Sequence, residues 1–364
     1  MNEKEEIFDF KKELIYLDSN IINYLYNKDS LGKDIKESIQ CFQMILGKLV
    51  GDNFYKTCYS HAHYLDISQG SSKYLKRDLK NLFKITQGIR IQEDYLDNFK
   101  LKIYQISNIE DDFKIYTDQA SIANPFEFVL KPLNFIVKTG IKFTSLFINE
   151  KKHRDLINKF ADAMGNFDNG LEILRINKEM RNEFKNFSGI KISFPNIHQL
   201  PKKKQNLDVK ELANEALKNS FFHIIFTDYQ KFFDFNKAIN NTVTSKANQW
   251  IIKLTSLAEF IGLVSEELKS PTAFKSITND HIHLTYGLSC QFFITADIRL
   301  YKKAKFIINW LNLKSYVFTV DEFIEYVLES MFLTTKELGS EEKTTKFIFN
   351  DSEGNTIKEY IITI

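Results

Sequence analysis

The stretch LIYLDSNIINYLY, Leu14–Tyr26, opens the part of the chain that decides its fold. Leu14–Leu17 is a short apolar run of strand-forming residues, and Ile21–Tyr26 repeats apolar residues at helical spacing. The DSN triplet between them contains residues that favour turns and helix caps. The stretch therefore predicts a strand, a turn and a helix, which is the start of an α/β unit.

The same alternation of strand and helix patterns continues to about residue 67 and returns after Pro271. The patterns predict helices at Ile35–Val50, Ser60–Ile67, Asn279–Ser289, Ile298–Leu311 and Asp321–Met331, and strands at Phe54–Tyr59, Phe292–Thr295 and Tyr316–Phe318. Thr345–Asn350 and Ile357–Ile362 flank a glycine-containing turn and predict a hairpin. Strands alternating with helices predict a parallel sheet flanked by helices.

The middle of the chain has a different pattern, because Phe and Leu recur there at helical intervals from about residue 73 to 270. We expect residues 1–72 and 271–335 to form one α/β domain, with residues 73–270 as a large all-α insertion. Residues 336–364 are predicted to form a C-terminal β-hairpin extension.

Composition narrows the class of protein. The 364 residues are 43% hydrophobic and 26% charged, with 49 Lys and Arg against 47 Asp and Glu, so the chain can bury a core and has no global basic field. The first residues, MNEKEEIFDF, lack the apolar segment of a signal peptide, and no apolar run is long enough to span a bilayer. Three dispersed cysteines do not suit a disulfide framework. We expect a soluble, cytoplasmic protein with no membrane partner.

Four carboxylates occupy positions that a parallel sheet can bring together, since sites form at the carboxyl ends of its strands. Asp18 and Asp297 each follow a predicted strand, Asp66 lies six residues after Ser60, and Asp280 begins the helix before the Asp297 strand. Several carboxylates share a small space only with a cation, and Mg²⁺ or Mn²⁺ prefers oxygen ligands. Such ions activate water for phosphodiester hydrolysis.

At these residues the chain resembles the PIN-domain ribonucleases, over roughly residues 1–70 and 275–331. The matching motifs are LDSN at Leu17–Asn20, SHAHYLD at Ser60–Asp66, the helical Asp280 and ITAD at Ile294–Asp297. The match departs at two positions: Asp66 stands where the family usually has Glu, and Gln291 where it often has a further acid. SHAHYLD also resembles a PIN-like group that carries long insertions between its second and third acids.

The resemblance implies a metal-dependent endoribonuclease that acts on tRNA or on other structured or single-stranded RNA. It implies that Asp18, Asp280 and Asp297 hold Mg²⁺ or Mn²⁺ and that Asp66 completes the site, directly or through water. Asn20 and Thr295 would orient the carboxylates or the phosphate. A role as a toxin or phage-defence effector, controlled by a protein partner or by homo-oligomerisation, fits the same resemblance.

Each of these residues also has a simpler structural interpretation. Asp18 and Asp297 can cap the helices that follow them, Asp66 can be a solvated helix residue, and Asp280 can be favoured by a helix macrodipole. His63 and His283 each lie three residues from an acid and can orient it, or can bind zinc or iron with it. Lys302 can contact phosphate or lie on a solvated face. The Lys202–Lys204 run can contact RNA or be a flexible loop, and the aromatic residues of Phe221–Phe233 can be core or a base-stacking platform.

Two other functions compete with the nuclease. In one, the chain is a non-catalytic PIN-like scaffold whose insertion binds a protein partner. In the other it is a phosphatase of the haloacid dehalogenase type, but that chemistry needs Asp-x-Asp, and Asn20 cannot transfer the proton.

Overall fold

The computed structural model describes residues 11–94, 100–122, 273–311, 313–335, 344–350 and 353–363, with isolated positions at 151, 154, 155, 158, 159, 162, 179, 251 and 255. The chain divides into two compact units: Met1–Ile7 with Lys114–His281, and Phe8–Phe113 with Ile282–Ile364. The first boundary falls after Phe113, later than the predicted end of the first segment at residue 72. Most of the predicted insertion, including Lys202–Lys204 and Phe221–Phe233, lies outside the described residues.

The described helices and strands alternate over most of their length. The strands are β1 (Lys11–Leu17), β2 (Lys56–Cys58), β3 (Ile89–Asp94), β4 (Lys100–Gln105), β5 (Cys290–Ile294), β6 (Tyr316–Phe318), β7 (Thr344–Asn350) and β8 (Thr356–Thr363). The helices are α1 (Ser19–Tyr26), α2 (Lys33–Gly51), α3 (His61–Gln69), α4 (Leu75–Thr86), α5 (Ile109–Ile122), α6 (Ala273–Gly287), α7 (Ile298–Leu311) and α8 (Val320–Thr335). Within these ranges no helix is long and apolar enough to cross a membrane.

Four strands form a parallel sheet in the order β2-β1-β5-β6, which confirms the predicted α/β class. The central strand β1 pairs Tyr16 with Cys58 on one side and with Phe293 on the other. Its residues Leu14–Leu17 have no exposed surface, as expected for a strand that is covered on both faces and reads as a continuous apolar run.

Helices cover this sheet with the apolar residues that their periodicity predicts. α2 buries Ile39, Phe42, Ile45 and Leu46, which recur three or four residues apart. The ring of Phe42 meets Phe323 of α8 edge-on at 5.7 Å between centroids, and Phe323 meets Phe292 of β5 at 5.5 Å. The core therefore runs continuously from the sheet into the helices α2 and α8.

The hairpin β3–β4 corrects the expectation that residues 73–270 are all helical. Ile91 pairs with Ile103, and apolar residues alternate with polar ones along both strands, a period of two rather than 3.6. Tyr59 N donates to Ile89 O at 3.0 Å and Ile91 N donates to Tyr59 O at 2.8 Å, so the hairpin lies beside the end of β2. The alternation is only a few residues long, and helical patterns on both sides obscured it.

The C-terminal hairpin β7–β8 confirms the predicted extension and packs on the same unit as the sheet. Lys358 Nζ lies 2.8 Å from Asp321 Oδ1 and 2.6 Å from Ser38 Oγ. Tyr360 OH donates to Asp321 Oδ1 at 2.8 Å. These polar contacts hold β8 against α2 and α8.

Helix α6 begins at Ala273, so the prediction that Asp280 begins this helix is wrong. Asp280 lies in its middle, where the favourable interaction with a helix N-terminus is lost. At the other end, a Cβ on Gly287 would lie 2.7 Å from the ring of Phe293, a buried residue of β5. Glycine thus allows the end of α6 to approach the sheet closely.

Candidate active site

The carboxyl ends of the neighbouring strands β1 and β5 lie side by side. Asp18 N donates to Ile294 O at 2.9 Å, which continues the sheet pairing one residue beyond β1. Thr295 and Asp297 follow β5 directly. Parallel pairing therefore brings Asp18 next to Thr295 and Asp297, which are far from it in the sequence.

Asp18 is buried, with 3% of its surface exposed, and its carboxylate faces the end of β5. Its Oδ2 accepts hydrogen bonds from Thr295 Oγ1 at 2.8 Å and from Asn20 Nδ2 at 3.4 Å. Although Asp18 precedes α1, its side chain makes no capping hydrogen bond, so the capping interpretation is wrong for Asp18. Burial raises the pKa of Asp18, and the charges of Asp66 and Asp297 raise it further, against the lowering effects of His283 and Thr295.

Asp297 does cap the helix that follows it. Its Oδ1 accepts hydrogen bonds from the backbone N–H groups of Arg299 at 2.7 Å and Leu300 at 3.1 Å. Thr295 Oγ1 accepts from Asp297 N at 3.0 Å and donates to Asp18. Thr295 therefore fixes the spacing between the two acids, and the cap leaves Oδ2 of Asp297 outside these bonds.

Asp66 reaches the same region from α3, with its side chain one-third exposed. His283 Nε2 donates to its Oδ2 at 2.9 Å. Burial raises the pKa of Asp66, but the hydrogen bond from His283, with smaller effects of Ser19 and His63, outweighs burial and holds the pKa below its ordinary value. The environment of Asp66 therefore favours the ionised carboxylate, whereas that of Asp18 disfavours it.

His63 has a structural role. Its Nε2 donates to Leu17 O at 2.8 Å, and its Nδ1 accepts from Ser60 N at 3.2 Å. Ser60 Oγ in turn accepts from Ala62 N, which makes Ser60 the predicted helix cap and gives His63 the place of Glu or Gln in a capping box. Burial, with a smaller effect from the charge of His283, lowers the pKa of His63 to about 3.

Two further predicted site residues lie on α6 and α7. Asp280 belongs to the first compact unit, whereas Asp18, Asp66 and Asp297 belong to the second. Lys302 is half-buried on α7, and the next residue, Lys303, is fully buried.

Tyr16 is a member of this site that the sequence analysis did not identify. Its hydroxyl lies 2.7 Å from Ser60 Oγ and 2.9 Å from His283 Nδ1. The signal was a hydroxyl-bearing residue in an otherwise aliphatic buried strand, since a buried tyrosine hydroxyl needs a hydrogen-bond partner.

A second, partly buried polar cluster also involves α3. Arg90 Nη1 contacts both oxygens of Asp112, at 2.5 and 2.6 Å, and Tyr64 OH donates to Asp112 Oδ2 at 2.6 Å. Tyr59 OH also bonds to Tyr64 OH, at 2.9 Å. This cluster joins the β3–β4 hairpin to α3 and α5, and we interpret it as structural.

The three acids suit a hard cation by chemistry. Their donors are carboxylate oxygens, and Asp18 is desolvated beside two further carboxylates, which a positive charge would stabilise. In those residues no group of three or more His, Cys, Asp or Glu is arranged so that it could hold a metal ion. Magnesium is commonly held by one or two carboxylates together with waters and substrate phosphates, so these residues fit that mode of binding.

No family model, no curated protein and no solved structure matches this chain.

Proposed function

We propose that this chain is a metal-dependent endoribonuclease of the PIN-like type, with its site at the carboxyl ends of β1 and β5. The observation that carries the proposal is the linkage of two acids at the ends of paired strands: Thr295 Oγ1 donates to Asp18 Oδ2 at 2.8 Å and accepts from Asp297 N at 3.0 Å. The charges of Asp297 and of Asp66, on α3, both raise the pKa of the buried Asp18. The resemblance of the LDSN and ITAD motifs to PIN-domain ribonucleases supplies the substrate class, RNA.

In this proposal each residue of the site has its own role. Asp18 and Asp297 would hold Mg²⁺ or Mn²⁺, with Asp66 joining directly or through water. A divalent ion at such a site lowers the pKa of water and stabilises the leaving oxygen of a phosphodiester. Thr295 and Asn20 keep Asp18 in place, and the α7 cap keeps Asp297 in place. The predicted contributions of Asp280 and Lys302 remain part of the proposal.

The test is cleavage of total tRNA and of an unstructured RNA with Mn²⁺, with Mg²⁺ or with a chelator. We expect cleavage that needs the metal and falls by about 100-fold or more in Asp18→Asn, since losing a metal ligand removes several kcal/mol of transition-state stabilisation. Asp321→Asn is the matched control, because this half-buried acid is bonded to Lys358 outside the site. The control should cleave RNA like the wild type.

Two results would contradict the proposal. Equal cleavage by Asp18→Asn and the wild type would place any activity at another site. No cleavage with any metal, together with no heat of Mn²⁺ binding by calorimetry, would favour the alternative of a non-catalytic scaffold that binds a protein partner.

A further inference from the structure

Behind Asp66 lies a buried chain of hydrogen bonds with a definite direction. Asp66 Oδ2 is 2.9 Å from His283 Nε2, and His283 Nδ1 is 2.9 Å from Tyr16 OH. Tyr16 OH is 2.7 Å from Ser60 Oγ. His283, Tyr16 and Ser60 are all at most 2% exposed, so water does not compete for these bonds.

The direction of the chain follows from its two ends. Asp66 is ionised and can only accept, so His283 Nε2 carries a proton and donates it. A neutral imidazole with its proton on Nε2 leaves Nδ1 as an acceptor, so the single proton of Tyr16 points to His283 Nδ1. Tyr16 OH then accepts the proton of Ser60 Oγ, which itself accepts from Ala62 N.

The other acceptor near Tyr16 does not compete for that proton. His63 Nδ1 lies farther away, at 3.4 Å, and already accepts the backbone N–H of Ser60. The ring of Tyr16 is held by His63 at 5.1 Å and Phe293 at 5.7 Å between centroids. Tyr16 therefore has one preferred hydroxyl orientation.

We infer that Tyr16 is a positioning residue of the site: it holds His283 in the tautomer with the proton on Nε2, and His283 thereby fixes the carboxylate of Asp66. This inference rests on the proposed function for the use of Asp66 toward a cation. Partners of this kind, one bond removed from a ligand, typically contribute 10- to 100-fold to metal affinity. Asp66 is one methylene shorter than Glu. Its carboxylate therefore has little freedom to reach the cation by another path if the hydrogen bond from His283 is lost.

The test compares Tyr16→Phe with Tyr64→Phe. Each variant removes one buried tyrosine hydroxyl, but that of Tyr64 bonds to Asp112 in the separate cluster with Arg90. In the metal-free protein, ¹⁵N NMR of the His283 ring reports the state of Nδ1, and calorimetry with Mn²⁺ reports affinity. We expect Tyr16→Phe to shift the Nδ1 resonance and to weaken Mn²⁺ binding by about 10-fold or more. Tyr64→Phe should change neither, even if both variants melt at lower temperature.

His283 provides a second test if Tyr16→Phe does not fold. His283→Gln keeps an N–H donor near Asp66, so it should retain more of the Mn²⁺ affinity than His283→Ala. An unchanged Nδ1 resonance in Tyr16→Phe, or equal affinities for the two His283 variants, would overturn the inference. A wild type that binds no Mn²⁺ but whose Nδ1 resonance still responds to Tyr16→Phe would contradict the proposed function and leave the positioning role supported.

Discussion

At the scale of single residues, Asp18 and Asp66 show how two identical side chains acquire opposite properties. Asp18 is desolvated and repelled by its neighbours, and its pKa is raised. Asp66 is partly exposed and receives the hydrogen bond of His283, and its pKa is lowered. Environments that separate the pKa values of neighbouring carboxyl groups are characteristic of functional sites.

Asp18→Asn is expected to stabilise the metal-free protein. A folded-state pKa above the unfolded value means that ionised Asp18 favours the unfolded chain at neutral pH, and this penalty disappears as pH falls through the folded pKa. The amide removes the penalty, and we expect a gain of about 0.5–2 kcal/mol in the free energy of unfolding at pH 7, measured with urea.

Asp66→Asn provides the comparison, because the lowered pKa of Asp66 has the opposite sign. Its ionised form stabilises the fold above the unfolded pKa, and that stability is lost as pH falls through the folded pKa. Asp66→Asn should therefore lose stability at pH 7. A loss of stability in both variants would show that Asp18 carries no such penalty.

His63→Gln is expected to flatten the acid side of the stability profile. The folded pKa of His63 is about 3. Below the unfolded pKa of about 6.5, only the unfolded chain takes up this proton, so stability falls as pH falls. Between pH 7 and pH 5 this amounts to about 2 kcal/mol for a single group. Gln keeps the capping-box geometry without titrating.

Urea unfolding of the wild type and His63→Gln at pH 7, 6 and 5 measures this difference. The comparison cancels the other titrating groups, including His61, whose pKa is also lowered by burial, to about 4. Parallel profiles for the two proteins would mean that His63 takes up its proton in the folded state as readily as in the unfolded chain.

At the scale of elements, the junction between α6 and β5 depends on one glycine. A Cβ on Gly287 would lie 2.7 Å from the ring of Phe293, and Phe293 is fully buried and cannot move away freely. Because α6 carries His283, this contact also determines the distance of His283 from Tyr16.

Gly287→Ala is expected to cost about 1–3 kcal/mol of stability through overpacking. Gly47 is the matched control, since it lies inside α2 with nothing within 4 Å of its added Cβ. Gly47→Ala should stabilise the protein by about 0.5–1 kcal/mol, because glycine is a poor helix former. Thermal unfolding of both variants checks the sign, and a neutral Gly287→Ala would mean that α6 can shift without cost.

Elements with a strong local pattern could be predicted from the sequence. The central strand β1 and the helix Ile298–Leu311 were predictable because an uninterrupted apolar run and a clear helical period need no tertiary information. The hairpin β3–β4 was missed because its alternation is short and its stability comes from pairing beside Tyr59.

Part of the candidate site could also be predicted from the sequence. Asp18 and Asp297 could be placed because the ends of parallel strands converge by topology. The hydrogen bond between Tyr16 and His283 could not be predicted. It joins residues 267 positions apart, and whether they face each other depends on how α6 packs.

At the scale of the whole molecule, the strand β8 contacts α2 and α8, which come from distant parts of the sequence of the second unit. Lys358 on β8 contacts Ser38 of α2 and Asp321 of α8. Lys346, a half-exposed residue of the same hairpin, pairs across the hairpin with Glu359, at 2.7 Å. Lys358 thus tests how the hairpin is attached to the helices, and Lys346 tests the pairing within the hairpin.

Lys358→Met is expected to cost about 1 kcal/mol, because it keeps an apolar stem but removes a charged donor from two partners. Lys346→Met should change stability by less than about 0.5 kcal/mol, as is usual for an exposed pair. Urea unfolding of both variants in low and high salt measures the difference. Equal effects would mean that β8 is held by its apolar contacts alone.

The central position of β1 has a consequence for the chain during its synthesis. Asp18 is made first, and its partner Thr295 follows 277 residues later. At about 5–20 residues per second, a ribosome needs roughly 15–55 s to cover that distance. Until then β1 can pair only with β2, and Asp18 has neither Thr295 nor Asp297 beside it. A translation product that stops before β5 therefore contains Asp18, Asp66 and Asp280 but neither Thr295 nor Asp297, so the candidate site can assemble only after β5 has been made.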